Sequence, residues 1–395
     1  SGFALGAFPL VANAQQGAAP AAAGLKADRQ PAAFVKIARD GEVTVTINRL
    51  EFGQGTHTGL AMVLAEELDA DWSRVRAVHG NADPAYNDPA FGMQITGGST
   101  AVKHSYTQYR ELGARTRAML VAAAAKQWNV PASSLATERG VVIGPGGKKL
   151  TYGALAETAM QQPVPVEVTL KDPARFKLIG QPTTRLDSQA KSSGKQDFGM
   201  DVRLPGMLTA VVARPPVVGG KLRAADREAA LKVPGVLKVV EIAAFSGAPV
   251  FQPLGGLAVV ARNTWAATQG RAALNPQWDD GPNGTYESAA FRREQERLVK
   301  APGTVYRSTG DAAKALADAS PAKLVSAEYY VPHLAHATME PPVATALVQG
   351  DRCEIWTSVQ NPQAALDGAA AALGIKPENT KVNVLLLGGG FGRKS

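Results

Sequence analysis

The sequence predicts an α+β protein of at least two domains, and three observations predict it. At 395 residues the chain exceeds the ~250 to 300 at which one hydrophobic core usually stops growing. Its 40 Gly and 26 Pro are more punctuation than a helical bundle tolerates. Stretches that alternate with a period of two stand beside stretches with apolar residues at helical spacing.

The elements follow in chain order. The opening "SGFALGAFPLVANAQQ" has an apolar run about the length of a signal-peptide h-region, then Ala12-Asn13-Ala14, a cleavage signature. It reads as the tail of an export signal whose basic n-region is missing, so a chain truncated at its start is expected. The Ala, Gly and Pro-rich residues up to Arg29 form a flexible leader. Alternation on both sides of Asp40-Gly41 predicts a hairpin over residues 34–48. After "GQGTHTG", the spacing of Leu60, Val63, Leu64 and Leu68 predicts an amphipathic helix, and "VRAVHG" a short strand. Ser99 and Thr100 are candidate N-caps of a long Ala-rich helix reaching about Trp128. Residues 163–196 read as an inter-domain stretch. From Met207 to Ile242 strand, helix and strand alternate, and a polar connector runs from about 284 to 305. The last segment predicts strands in "KLVSAEYYV", "ATALVQ" and "EIWTSVQ", a helix over 363–373, and a strand "KVNVLLL" entering the terminal glycines. No internal repeat is visible.

The bulk numbers exclude some functions. Net charge is +8, but no window carries a run of five or more Lys/Arg, and aromatic content is 6%, so no basic stripe with interleaved aromatics points to nucleic acid. The lone Cys353 excludes an internal disulfide and an iron–sulfur cluster held by this chain, and its place in "CEIWTSV" marks it as a buried small hydrophobe. His333 and His336 stand three apart without the further ligands of a zinc site.

Three segments share one design, a glycine-rich turn at a strand end: "EFGQGTHTG", "ITGGST" and "LLGGGFGRKS". Such turns let backbone N–H groups approach an anion closely. A phosphate-loop pattern starting at Gly388 meets Arg393 where its second glycine must be, and a dinucleotide fingerprint fails at the same residue. Gln360, at a strand end before a helix, has an amide that can donate to an oxo group or accept from a hydroxyl, or else cap that helix.

Together these blocks resemble the xanthine oxidase and aldehyde oxidoreductase family of molybdenum hydroxylases. The residues that carry the resemblance are "SVQNPQAALDGAAAALGIKPENTKVNVLLLGGGFGRK", "AHATMEPP", "GQGTHTG" and the stretch from "FGMDVRLPGMLTAVVARPPVVGGKL" to "VPGVLKVVEI". Because the GQG and ST loops precede the last block here, the order is similar to that of isoquinoline 1-oxidoreductase β subunits and of exported aldehyde dehydrogenase large subunits.

The resemblance implies a molybdopterin-binding domain split in sequence, with an inserted α/β hammerhead domain. Its expected bounds are a leader at 1–30, a first part at 31–190, the hammerhead at 196–284 and an incomplete second part at 300–395. It implies a molybdopterin cytosine dinucleotide without a direct protein ligand to molybdenum. Gln360 would hydrogen-bond a molybdenum oxygen ligand, and Gly388, Gly389, Gly390, Phe391 and Gly392 would lie against the metal centre. Gly53, Gln54 and Gly55, with Gly98, Ser99 and Thr100, would hold the pterin and its phosphates. The activity implied is hydroxylation of an N-heterocycle or oxidation of an aldehyde to its acid, with water as the oxygen source. The family's general-base glutamate is expected beyond Ser395, and Glu340 is read as structural or pocket-lining rather than as that base. A small [2Fe-2S] subunit and a cytochrome c subunit are the implied partners, any membrane association would run through a partner, and twin-arginine export would place the protein in the periplasm. The alternative left open is an exported, non-catalytic binding or scaffold protein of the same fold.

Overall fold

A computed structural model of the protein describes residues 25–247 and 253–394. The export-signal reading of the first residues therefore lies outside the described residues. The chain divides into two compact units, one discontinuous (residues 1–202 and 336–395) and one inserted (203–335).

The first unit begins with a short helix α1 (Pro31–Phe34), then β1 (Val35–Ile37) and β2 (Val43–Ile47), paired antiparallel across the Asp40-Gly41 turn. After an irregular stretch comes α2 (Thr56–Leu68), then a 3-10 turn at Trp72–Arg74 and β3 (Val75–His79), which lies parallel to β2. α3 (Ala101–Trp128) packs along α2. Its Tyr109 hydroxyl donates to the Thr46 carbonyl (2.9 Å) and accepts from the Asn48 N–H (2.9 Å), pinning the end of β2 where the GQG loop begins. The apolar face of α2, the inner faces of β1 and β2, and Phe34, Tyr109 and Leu112 make one fully buried core. A small antiparallel sheet follows, β4 (Ala136–Glu138), β5 (Val141–Ile143) and β6 (Lys149–Thr151), with α4 (Tyr152–Ala159) and a one-turn α5 (Ser188–Ser192).

The inserted unit has its own core. β7 (Thr209–Ala213), β9 (Val236–Ala244) and β10 (Leu254–Ala261) form an antiparallel sheet in the order β7-β10-β9, and β8 (Lys221–Ala224) pairs with β11 (Gln277–Asp279). Short α6 (Arg227–Leu231) and α7 (Thr264–Ala273) cover the sheet, burying Ala230, Leu257, Val259, Ala267 and Leu274. The unit extends past residue 284 to Ala335, with α8 (Ser288–Leu298) and α9 (Ala312–Asp318). Aromatic contacts explain the extension: His333 packs on Phe291 (centroids 5.2 Å) and Arg292 lies over the Tyr330 ring (4.6 Å). The strand expected in Lys323–Val331 is not formed. That stretch has no strand partner among the described residues, and Val325 and Tyr329 are 96% and 87% exposed. Alternation makes a strand only where a neighbouring edge takes up its backbone hydrogen bonds.

The chain then returns to the first unit with β12 (Ala344–Gln349) antiparallel to β13 (Arg352–Thr357), α10 (Pro362–Leu373), a 3-10 turn at Pro377–Asn379 and β14 (Thr380–Val384), parallel to β13. This succession of hairpin, loop, helix, 3-10 turn and parallel strand repeats the path of β1 to β3. The repeat is invisible in the sequence because the two helices face different surroundings: α2 is buried over almost its whole length, whereas α10 buries only Pro362 and Ala370.

Candidate functional site

In both repeats the loop that leaves the second hairpin strand and enters the helix carries polar residues, and the structure brings the two loops together. Gln360 donates its N–H to the Lys394 carbonyl (2.6 Å) and its Nε2 to the Thr96 carbonyl (2.7 Å), while its backbone carbonyl accepts from the Thr96 N–H (2.9 Å). The Leu387 N–H donates to the Glu51 carbonyl (3.2 Å). Four stretches far apart in sequence thus meet: residues 50–55, residues 96–100, Gln360 and the turn 388–392. A Cβ placed on Gly390 would lie 3.1 Å from Gln360 Oε1 and 3.5 Å from the Phe52 ring, so a side chain there would press on the Gln360 amide where these stretches meet.

Gln360 is 2% exposed, and its Oε1 has no hydrogen-bond partner among the described residues. A buried acceptor left unpaired costs about 1 to 3 kcal/mol. With Nε2 taken by Thr96, the side chain presents an acceptor toward the turn and does not act as the helix cap; Asn361 caps α10 instead, its Oδ1 accepting from Ala364 N–H (3.1 Å).

The turn is held by Glu340, which the sequence marks only as structural or pocket-lining. Glu340 Oε2 accepts from the Gly388 N–H (3.1 Å) and from Lys394 Nζ (2.5 Å), its Oε1 accepts from the Met200 N–H (3.1 Å), and its own N–H donates to the Gly388 carbonyl (3.0 Å). Both carboxylate oxygens are committed, which makes Glu340 a clamp on the turn. Gly388 is where the clamp needs glycine, since a Cβ there would sit 2.5 Å from the Glu340 Cβ. Lys394, whose side chain is fully buried, escapes sequence reasoning because a lysine beside an arginine at a basic chain end reads as solvated. Beyond the clamp, Phe391 holds a φ of +53° with its ring 70% exposed, a backbone state that costs a side-chain-bearing residue energy and that clusters at binding sites.

The GQG loop is arranged differently from the expectation that its amides face a ligand. The Gly53 and Gly55 N–H groups donate to Glu51 Oε1 (2.8 and 3.1 Å), and the His57 N–H donates to Oε2 (3.1 Å). The Gln54 side chain folds back on its own loop, Nε2 to the Leu50 carbonyl (2.7 Å) and Oε1 from the Phe52 N–H (2.8 Å). Burial pushes the Glu51 carboxyl up, but the three loop amides and Lys191 outweigh it and hold it below the ordinary carboxylate value.

In the GGST loop, Gly98 and Ser99 both have left-handed backbones (φ +61° and +56°). Thr100 does occupy the N-cap of α3, yet its hydroxyl donates back to the Gly97 carbonyl (2.7 Å) and caps no helix amide. The loop rests on a buried ion pair, Arg49 Nη1 to Asp88 Oδ2 (2.6 Å), with His104 Nδ1 3.0 Å from the same oxygen. Burial pushes Asp88 up, but its His104, Ala90 and Arg49 partners pull it below the ordinary value.

Behind the GQG loop, His57 and His79 stack with ring centroids 6.0 Å apart. They border a cavity of about 450 Å³ lined also by Arg76, Asp187, Asp197 and Leu385. Burial drives His57 down to about 4; burial and then the neighbouring His57 drive His79 to about 3, so both rings are neutral near pH 7. His333 is placed in the inserted unit, with Nδ1 3.1 Å from the Tyr286 hydroxyl, and no cluster of three metal-ligating side chains occurs among the described residues. Cys353 is core, and burial raises its thiol.

The geometry fits a bound group at the turn 388–392, where an unpaired buried acceptor meets a cradle that a Cβ would fill. At the GQG loop the backbone donors are already taken. Comparison with known proteins identifies the group. Residues 4–197 and residues 297–395 match two families, each described as a molybdopterin cofactor-binding domain. The β chain of the isoquinoline 1-oxidoreductase of Brevundimonas diminuta is 31% identical over 100% of this chain and 55% of its own. The membrane-bound aldehyde dehydrogenase [pyrroloquinoline-quinone] of Gluconacetobacter polyoxogenes is 30% identical over 92% of this chain and 47% of its own. A nicotinate dehydrogenase subunit of Pseudomonas putida is 28% identical over 85% of this chain and 27% of its own. The chain therefore spans about half the length, or less, of the curated relatives it matches. With two such domain matches in one chain, at residues 4–197 and 297–395, and relatives of this kind over its whole length, the chain belongs to the molybdopterin-binding large subunits of the molybdenum hydroxylase family.

Proposed function

We propose that this chain is the cofactor-holding part of an oxidoreductase that hydroxylates an N-heterocycle or oxidises an aldehyde to its acid, with water as the oxygen source. The observation that carries the reading is the unpaired, buried Oε1 of Gln360 at the glycine turn. The names of the relatives, which span heterocycle and aldehyde substrates, support the class and leave the choice between them to assay.

When bound, the molybdenum group supplies the two-electron chemistry. The residues of this chain hold and orient it. Gln360 Oε1 accepts a hydrogen bond from a donor on the cofactor side, with its orientation locked by Nε2 on the Thr96 carbonyl. The turn 388–392, clamped by Glu340, gives the group a close backbone wall. Gly98, Ser99 and Thr100 lead into the N-terminus of α3, whose partial positive charge suits the phosphates of a cytosine dinucleotide form. Glu340 does not serve as the general base, because both its oxygens are engaged and one accepts from Lys394.

Electrons would leave through a [2Fe-2S] partner subunit and onward to a cytochrome c subunit, and twin-arginine export would place the assembly in the periplasm. Molybdenum analysis of the purified protein with release of cytidine monophosphate tests the reading. Near-stoichiometric amounts of both, with turnover of aldehydes or N-heterocycles by a dye-linked assay, are the expected result. Their absence would favour an exported, non-catalytic binding protein of the same fold, a second reading that the occupied amides of the GQG loop support. Co-purification of an iron–sulfur subunit and fractionation of the producing cells test the partner and the location.

A further inference from the structure

Glu51 stands where an external anion would be expected. Backbone N–H groups of a glycine loop at a helix start form a receptor for negative charge. Here that receptor is filled from within: Gly53, Gly55 and His57 all donate to one carboxylate, which has no exposed side-chain surface. Oε1, the oxygen that takes the Gly53 and Gly55 amides, is also held by Arg185 Nη2 (3.0 Å) and Lys191 Nζ (3.7 Å). Arg185 also donates from Nη1 to the Gly53 carbonyl (2.9 Å), and Asp187 fixes both cations, at 2.9 Å from Arg185 and 2.5 Å from Lys191. The loop is therefore gripped by its amides and by a carbonyl at once, through charges that belong to the chain itself. A side chain added to satisfy a helix start would need only one of these bonds. With the Thr56 hydroxyl also donating to Oε2 (3.5 Å), six partners on one buried carboxylate define the course of the loop.

We propose that Glu51 is the positioning residue of the Gly53–Gly55 loop, an internal anion that permanently occupies the cradle at the start of α2. The molybdopterin group then meets a preformed loop through surfaces other than the Gly53, Gly55 and His57 amides. The cofactor half of this inference rests on the proposed function; the cradle itself does not.

The test uses the full chain and two variants, Glu51→Ala, which empties the cradle, and Glu51→Gln, which keeps its volume but sets an NH2 group among the donors. Amide hydrogen exchange at Gly53, Gly55 and His57 is expected to be at least about tenfold faster in Glu51→Ala, the equivalent of one charge-assisted hydrogen bond. Exchange over Val141–Ile143, in a separate sheet, stays unchanged. Formate at tens of millimolar should restore slow exchange in Glu51→Ala by entering the emptied cradle, with no effect on the parent protein. Purified Glu51→Ala should carry about tenfold less molybdenum and cytidine monophosphate. Unchanged exchange, failure of formate to rescue it, or a variant loaded as fully as the parent would each overturn the proposal; higher loading would make Glu51 a competing plug. If Glu51→Ala does not accumulate, Glu51→Gln carries the exchange test, and unchanged exchange there overturns the proposal too. A parent protein free of molybdenum and nucleotide would instead sink the proposed function, leaving the exchange and formate results to decide the role of Glu51.

Discussion

Replacing Lys394 by Met should destabilise the discontinuous unit by about 3 kcal/mol. The Lys394 side chain is fully buried and that of Glu340 is 6% exposed, so the substitution leaves a carboxylate without its cation in a place that water hardly reaches. Removing one partner of such a pair costs about 3 to 5 kcal/mol. The lower end applies because Glu340 keeps two backbone donors, the Gly388 and Met200 N–H groups at 3.1 Å each. The double variant Lys394→Met with Glu340→Gln removes the stranded charge, so it should be less destabilised than the sum of the single changes by at least about 1 kcal/mol. Urea unfolding of the four proteins, followed by the exchange rate of the Gly388 amide as a local readout, measures both quantities. A Lys394→Met cost below about 1 kcal/mol, or strict additivity in the cycle, would refute the reasoning that this pair clamps the turn.

Three further outcomes are expected. Gly388→Ala puts a methyl group 2.5 Å from the Glu340 Cβ, so the turn must shift, and a loss of about 1 to 3 kcal/mol with reduced molybdenum content should follow, read by urea midpoint and metal analysis. Gln360→Ala strands the Thr96 carbonyl and removes the acceptor at the turn; dye-linked activity should fall about 10 to 100-fold, and an activity within twofold of the parent would exclude a role for Gln360. Because His57 and His79 sit below the ordinary histidine value of 6.5 in the folded chain, the unfolded chain binds more protons between pH 6.5 and about 4. Stability must then fall as pH drops through that window, by on the order of 3 kcal/mol for His57 alone, and replacing His57 by Phe should flatten the urea midpoint against pH.

The elements legible in the sequence are those whose cause is local. The Asp40-Gly41 hairpin, the helical spacing in Thr56–Leu68 and the long Ala-rich helix from Ala101 all formed, because turn chemistry and apolar period act over a few residues. Lys323–Val331 had the same local signal and formed no strand, since pairing depends on a neighbour that its own sequence does not contain. The repeated hairpin, helix and parallel strand was hidden because burial, not topology, dictated the residues on α2 and α10.

By itself the sequence determined which segments to propose for the chemistry: the three glycine turns and Gln360, singled out because glycine-rich strand ends and a strand-end amide stand together in it. Only the tertiary structure decided what each of them touches. The Thr96–Gln360 pairing spans 264 residues, the GQG amides close on Glu51, and Lys394 is buried against Glu340. The reason is that a hydrogen-bonding group takes whichever partner the fold brings within about 3 Å of it: Thr96 and Glu340 come to Gln360 and Lys394 from distant segments, and Glu51 is turned back onto the amides of its own loop.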